Sequence, residues 1–225
     1  MAGVGSDAGW LDAQTRMDAM YRYQRHIYDL TRKFYLFGRD QLLRQLPAAP
    51  GARILEMGCG TGRNLVKLAR RATASRIFGV DISREMLATA GRKLERAGLS
   101  GRVKLADGAG QSFDPQAAFG VAELDVVYFS YVLSMIPDWQ GAVDRAMELL
   151  APGGILAVVD FGDQARAPAW RRRLLLGWLS LFHVHPRAEI ESSLRAWGQT
   201  RAATILDQDI MNGYAYLLML RKPYQ

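Results

Sequence analysis

An apolar run that ends in an acid and then breaks into alternating glycines leaves a chain few ways to fold. Residues 53–62 read Arg-Ile-Leu-Glu-Met-Gly-Cys-Gly-Thr-Gly, with Glu56 closing the run and Gly58, Gly60 and Gly62 following it. A buried parallel strand running into such a turn brings backbone close to a ligand, because glycine tolerates left-handed φ and carries no obstructing side chain. The next stretch, from Asn64 to Arg71, has helical spacing, so the turn opens a helix whose first amides point at the ligand. A nicotinamide fingerprint needs its third glycine three residues after the second. That position is Arg63, and the third glycine comes one residue early. The turn predicts a nucleotide-type site that is not a dehydrogenase's.

Later runs follow in the order an open α/β sheet demands. Arg76-Ile-Phe-Gly-Val-Asp81 ends in an acid about 20 residues after the glycines, where a carboxylate can accept both ribose hydroxyls. Ile82 follows, and Ser83 is placed to cap a helix starting at Arg84. An aspartate that only supports that cap is the plainer alternative, and the glycine turn before it favours ribose. Val103 to Asp107 is again a strand ending in an acid, followed by Gly108. Asp107 alone would be an ordinary turn residue; its weight is as the third strand-ending acid. Asp125 opens an apolar strand that runs into Phe129-Ser130-Tyr131, and ligands of parallel sheets bind beyond such carboxyl ends. Ala151-Pro-Gly-Gly154 stops a helix before a buried strand that reaches Asp160. Thr200 to Asp209 and Tyr214 to Arg221 read as closing strands joined by a tight turn at Asn212-Gly213. Strands alternating with helices imply a doubly wound sheet.

This series, from about Arg53 to Lys222, resembles the class I S-adenosylmethionine-dependent methyltransferases. The resemblance implies an α/β, Rossmann-like sheet of seven strands, mostly parallel with an antiparallel last strand, helices on both faces and an N-terminal helical lid. It implies S-adenosylmethionine as cofactor and S-adenosylhomocysteine as product. The matching positions are Glu56, Gly58, Gly60, Gly62, Asn64, Asp81, Ile82, Met86, Asp107, Gly108, Phe129 and Ser130. Met86 matches a position that packs on adenine, although a methionine at that spacing by itself reads as core. Base-methylating relatives carry an Asn/Asp-Pro-Pro-aromatic signature after the fourth strand. Phe129-Ser130-Tyr131 resembles the small-molecule and lipid branch instead, so no nucleic-acid partner is expected.

At 225 residues one domain is expected, with an N-terminal extension over 1–45 and the cofactor domain over 46–225. No apolar run is long enough to span a bilayer, and no N-terminal apolar leader is evident. A single cysteine, Cys59, excludes a disulfide framework and suits a cytosolic protein; without a His/Cys cluster no metal is expected. The formal net charge of +7 and a pI near 9.7 favour anionic partners. Two segments concentrate cations among apolar residues. In the first, Met20, Tyr23, Ile27, Leu30, Phe34 and Phe37 recur at helical spacing with cations between them. The second, inside an insert expected over 163–198, holds Trp170, Arg171, Arg172, Arg173 and Trp178 beside a leucine run. That mix suits a helix lying among lipid headgroups, where each cation is worth roughly 1 kcal/mol near an anionic leaflet. The same residues could instead cap the core with their arginines in water. The expected location is cytoplasmic, peripheral to the inner face of the cytoplasmic membrane.

Met17 to Tyr35 also resembles the signature of bacterial betaine-lipid methyltransferases, which trimethylate the amine of diacylglyceryl-homoserine. That resemblance implies a lipid acceptor and functional coupling to the enzyme that makes it. Methyl transfer from a sulfonium is an in-line displacement, and an amine nucleophile must arrive neutral. A methylated ammonium is best held by aromatic faces, which Tyr21, Tyr23, Tyr28, Tyr35 and Tyr131 could supply. Tyr23, His26 and Tyr131 are the catalytic candidates, His26 as base, although a lone histidine is more often structural. Arg25 or Arg22 would meet a homoserine carboxylate. Phosphatidylethanolamine N-methylation, quinone C-methylation and a silent cofactor-sensing module are the alternatives.

Overall fold

The computed structural model describes residues 36–164 and 187–224, with Arg173 and Gly177 from the stretch between them. Tyr21, Tyr23, Arg25, His26, Tyr28, Tyr35, Trp170, Arg171, Arg172 and Trp178 lie outside the described residues. Arg173 is helical and exposed.

The strands are β1 (Arg53–Met57), β2 (Arg76–Asp81), β3 (Val103–Asp107), β4 (Leu124–Ser130), β5 (Leu150–Phe161), β6 (Ala203–Ile210) and β7 (Ala215–Arg221). Among the described residues the helices are α1 (Arg39–Gln45), α2 (Arg63–Arg71), α3 (Arg84–Arg96), α4 (Pro115–Phe119), α5 (Trp139–Leu149) and α6 (Ala188–Thr200), with a 3-10 turn at Leu133–Met135. One seven-stranded sheet runs β3-β2-β1-β4-β5-β7-β6. The first five strands are parallel, and β7 is antiparallel to both β5 and β6. This is the expected fold. Strand order reverses between β1 and β4, so the ligand crevice lies beyond their carboxyl ends.

Alternation along the strands builds a core on each face. Ile54, Tyr128, Val159 and Leu217 meet Leu42, Leu65 and Leu68 of α1 and α2. On the other face Phe78, Val127, Phe129 and Leu218 meet Phe119, Trp139, Ile190 and Leu194 of α4 to α6. In α2 the leucines fall three apart and the cations Arg63, Lys67, Arg70 and Arg71 occupy the outer positions. Burying each such leucine contributes about 1.5–3 kcal/mol. The amino ends of β1 and β4 are pinned by Arg53, whose Nε and Nη2 donate to Asp125 at 2.9 and 2.8 Å. Those hydrogen bonds hold the Asp125 carboxyl below its usual range.

Three boundaries differ from expectation. Pro152–Gly154 lies inside β5, where Leu124 pairs with Leu150 and Val126 with Ile155. The extra residues form a bulge, which accommodates a proline that cannot donate to the ladder. Thr200 closes α6 and does not begin a strand; Ile190 and Leu194 bury one side of that helix, with Trp197 packed beside them. Residues 188–198, grouped by sequence with the insert, thus belong to the core layer. The β6–β7 connection is four residues, because Ile210 pairs with Ala215. Met211, Asn212 and Gly213 take φ of 53, 58 and 84° in succession.

Candidate active site

Glu56 is 1% exposed at the end of β1, beside Gly79 on one neighbouring strand and Tyr128 on the other. The Asn64 Nδ2 donates to its Oε1 at 2.7 Å. Its Oε2 is buried without a hydrogen-bond partner, and so is the Tyr128 hydroxyl. Burial pushes the Glu56 carboxyl up to about 8, against the Asn64 hydrogen bond, the nearby Tyr128 hydroxyl and the positive charge of Arg39. Tyr128 sits near enough to temper that rise, but not at ordinary hydrogen-bond distance.

The glycine turn holds itself against β2. Gly58 N and Cys59 N donate to the Val80 carbonyl at 2.8 and 2.9 Å, and Gly60 N donates to Asp81 Oδ2 at 2.7 Å. Asp81 Oδ1 accepts from Ser83 N at 2.9 Å, and the Ser83 hydroxyl caps α3 by accepting from Met86 N at 3.3 Å. Asp81 thus braces turn and cap together, with a carboxylate at the edge where a ribose would lie. A Cβ at Gly58 would sit 2.3 Å from Val132 Cγ2, and one at Gly62 would sit 2.8 Å from Ala90 Cβ. Both positions have left-handed φ, 71 and 75°. Cys59 is buried and its thiol is pushed up by burial, which leaves it inert as a nucleophile.

Asp107 pairs in register with Asp81 and is bridged to Arg84 at 3.1 Å. Met86 is 3% exposed in the first turn of α3, and Ile82 is half-buried beside it. These residues converge on the carboxyl edge. Four of the expected site residues also have structural partners. The Asn64 amide is engaged by Glu56 and Arg63, so it positions the acid. Gly108 is packed by a neighbour, since a Cβ there would meet the Phe113 ring at 2.7 Å. The Phe129 side chain is fully buried on the α5 face, because alternation along β4 turns it away from the edge; Ser130 ends the strand with its Oγ buried and unpartnered. Tyr131 is 3% exposed, donates its hydroxyl to the Phe37 carbonyl at 2.6 Å and sets its ring edge-on to Phe161. Burial pushes that hydroxyl well above its usual range, so Tyr131 is a structural tie and not an acid or base.

Sequence reasoning passed over two further buried groups at this edge. Arg39, the first residue of α1, is 7% exposed and lies in the field of Glu56 and Tyr131. A cation at a helix start opposes the helix dipole, and that was the available signal that it has a tertiary role. Asp160, at the end of β5, accepts from Ser134 N and Oγ at 3.3 and 3.2 Å and from Phe161 N at 2.8 Å. Burial raises its carboxyl to about 6.

The donor set fits S-adenosylmethionine. The Glu56 oxygen without a hydrogen bond suits an ammonium, Asp81 suits the ribose hydroxyls, and the glycines let the turn pack closely against Val132 and Ala90. When bound, the cofactor supplies an electrophilic methyl on sulfur.

Known proteins agree. A family described as a methyltransferase domain matches residues 23–206. The chain is 33% identical over 132 residues to a trans-aconitate 2-methyltransferase of Variovorax paradoxus, covering 59% of this chain and 47% of that protein. It is 35% identical over 140 residues to a demethylmenaquinone methyltransferase of Thermus thermophilus, covering 60% of each. The chain therefore spans about half to three fifths of the length of these curated relatives, which are named for acceptors other than an amino lipid. Among solved structures, a S-adenosylmethionine-dependent methyltransferase from Aquifex aeolicus superposes with a TM-score of 0.63 at 15% identity, covering 85% of this chain and 93% of that one. The cyclase SpnF does so with a TM-score of 0.66 at 19% identity, covering 83% and 81%, so the fold by itself does not fix the reaction. The matched domain, with its intact acid and glycine series, places this chain in the methyltransferase-domain family.

Proposed function

We propose that this enzyme methylates the amine of an amino-acid-headed lipid, diacylglyceryl-homoserine, in three steps that end in the betaine lipid diacylglyceryl-trimethylhomoserine. The observation that carries an amine over a polyanionic acceptor is the charge beyond β5. A groove of about 510 Å³ there is walled by Asp163, Glu189 and Glu191, with Arg195 as its cation. Arg195 is committed to Asp207 at 2.9 Å and Glu191 at 2.6 Å. A tricarboxylate would meet repulsion from that wall, whereas an ammonium is stabilised by it. Each transfer forms an N–C bond as the C–S bond breaks, and the amine must shed a proton before each attack. Burial raises the Glu191 carboxyl against the charge and hydrogen bond of Arg195, and as a carboxylate on that wall it is the candidate proton acceptor.

The Met17 to Tyr35 resemblance supports the lipid headgroup. A lipid acceptor places the enzyme at the inner membrane surface, near the enzyme that supplies it. No helix among the described residues is long and apolar enough to cross a membrane, so contact would be peripheral. The test is mass spectrometry of mixed micelles containing diacylglyceryl-homoserine, S-adenosylmethionine and the full chain. Three successive methyl additions on the headgroup nitrogen support the reading, and no addition to that lipid overturns it. Ring C-methylation of a quinone is the second reading, favoured by the Thermus thermophilus relative, and demethylmenaquinone in a parallel tube tests it.

A further inference from the structure

Among the described residues, the exposed large apolar side chains are Phe37, Ile205, Met211 and Tyr224. Ile205 and Tyr224 lie toward the amino end of β5, away from the ligand crevice. Phe37 and Met211 lie at its carboxyl end, on the two sides of one turn. Met211 opens the β6–β7 connection, and the Phe37 ring meets Tyr214, at the end of that connection, edge-on with centroids 5.3 Å apart. Gly38 packs against Ile210, which ties the start of α1 to the same turn. Met211 is 52% exposed with φ of 53°, a conformation that glycine or asparagine adopts at lower cost. Packing does not account for a half-exposed methionine at such a position. Single exposed apolar residues are ordinary on a protein surface, but two that flank one strained turn beside a site point to a partner.

The same turn borders the acidic groove. Gly162 N and Gln164 N donate to the Tyr214 and Gly213 carbonyls at 3.0 and 3.1 Å, so Asp163 between them is carried on the segment that backs the turn. A molecule with an ammonium head and a hydrocarbon tail would find an acid wall and an apolar rim side by side. We infer that Phe37 and Met211 form the membrane contact of this enzyme, entering the hydrocarbon of the lipid layer that holds the acceptor so that its headgroup meets the groove. The identity of that lipid rests on the amino-lipid reading above, and the contact itself is tested apart from it. Exposed Asp163 and Asp209 flank the turn, so the contact works by apolar burial and does not draw on an anionic leaflet. It is therefore insensitive to salt, unlike a contact led by arginines.

The experiment is flotation of the full chain with phosphatidylcholine vesicles, with and without diacylglyceryl-homoserine, at low and high salt. The chain should float with both kinds of vesicle at both salt levels. Phe37→Asn and Met211→Asn should each lower the partition coefficient roughly threefold to tenfold, and the double variant by about the product. Asparagine suits the φ of Met211, and Met211→Leu, which keeps the apolar surface, should stay within about twofold of the parent. S-adenosylhomocysteine affinity that holds in every variant shows that the fold is intact. No flotation of the parent, equal flotation of the double variant, or flotation lost at high salt overturns the inference. So does a parent dimer that the double variant splits, which would give the patch to a second copy of the chain. The amino-lipid reading is judged separately, by methylation of diacylglyceryl-homoserine in micelles: it can stand when flotation fails, and fall while flotation behaves as described.

Discussion

Around the end of β1 the left-handed positions Gly58, Gly60 and Gly62 are glycines, whereas across the same edge Tyr131, Gln164, Met211 and Asn212 adopt left-handed φ with side chains attached. In the cofactor half a side chain at Gly58 or Gly62 would run into Val132 or Ala90, so the turn closes only on bare backbone. In the half beyond β4 and β5 two strained residues hold other segments in place. Tyr131 donates to the Phe37 carbonyl, and the Gln164 Nε2 donates to the Tyr214 carbonyl at 2.8 Å. Those bonds offset about 1–2 kcal/mol of backbone strain per residue. One half is shaped by what it must leave out, the other by what it must tie together.

That contrast can be broken most forcefully at Gly58. Gly58→Val adds a clash with Val132 to an unsuitable φ, and should destabilise the chain by about 3 kcal/mol or more, read as the urea midpoint. A loss under about 1 kcal/mol would show that the turn has room to spare. Next in size is Asp81→Ala, expected to weaken S-adenosylhomocysteine by about 2 kcal/mol in calorimetry. An unchanged affinity would reduce Asp81 to the brace for Gly60 and Ser83.

The buried acids give a pH signature in each half. Glu56 is raised from 4.5 to about 8 and Asp160 from 3.8 to about 6. Both bind a proton in the folded chain that the unfolded chain has already released, so stability falls as pH rises through these windows. The slope should be about 1 kcal/mol per pH unit. Glu56→Gln should flatten the upper part, between about 6 and 8, and Asp160→Asn the lower, which thermal melts across pH would resolve. A melting midpoint that climbs over the same range would contradict both assignments. The smallest effect is Met211→Gly: Met211 is 52% exposed, so releasing its φ of 53° should leave stability within about 1 kcal/mol of the parent or slightly above it.

The cofactor half was legible because its requirements are local. The acid of β1, the glycines after it and Asp81 followed by Ser83 are contiguous in sequence, and their spacing alone specifies strand, turn and capped helix. The half beyond β4 and β5 depends on partners far apart in the chain. Tyr131 looked like an open aromatic face until its hydroxyl met Phe37, 94 residues away. Phe129 and Tyr131 are two apart in a single apolar run, where strand alternation would put them on one face; Tyr131, past the end of β4 with φ of 57°, packs in the opposite core instead. The burial of Arg39 is not legible in the sequence, since it comes from α1 packing over the sheet and not from its neighbours in the chain.

The division of labour between the halves is tested most directly by one paired measurement on Asp81→Ala and Glu191→Gln. S-adenosylhomocysteine affinity is read by calorimetry and methyl transfer to diacylglyceryl-homoserine by mass spectrometry. The account predicts that Asp81→Ala loses cofactor affinity and transfer together, whereas Glu191→Gln keeps the affinity within about twofold and loses transfer roughly tenfold or more. A Glu191→Gln enzyme that binds cofactor as poorly as Asp81→Ala, or that transfers methyl groups at the full rate, would contradict it.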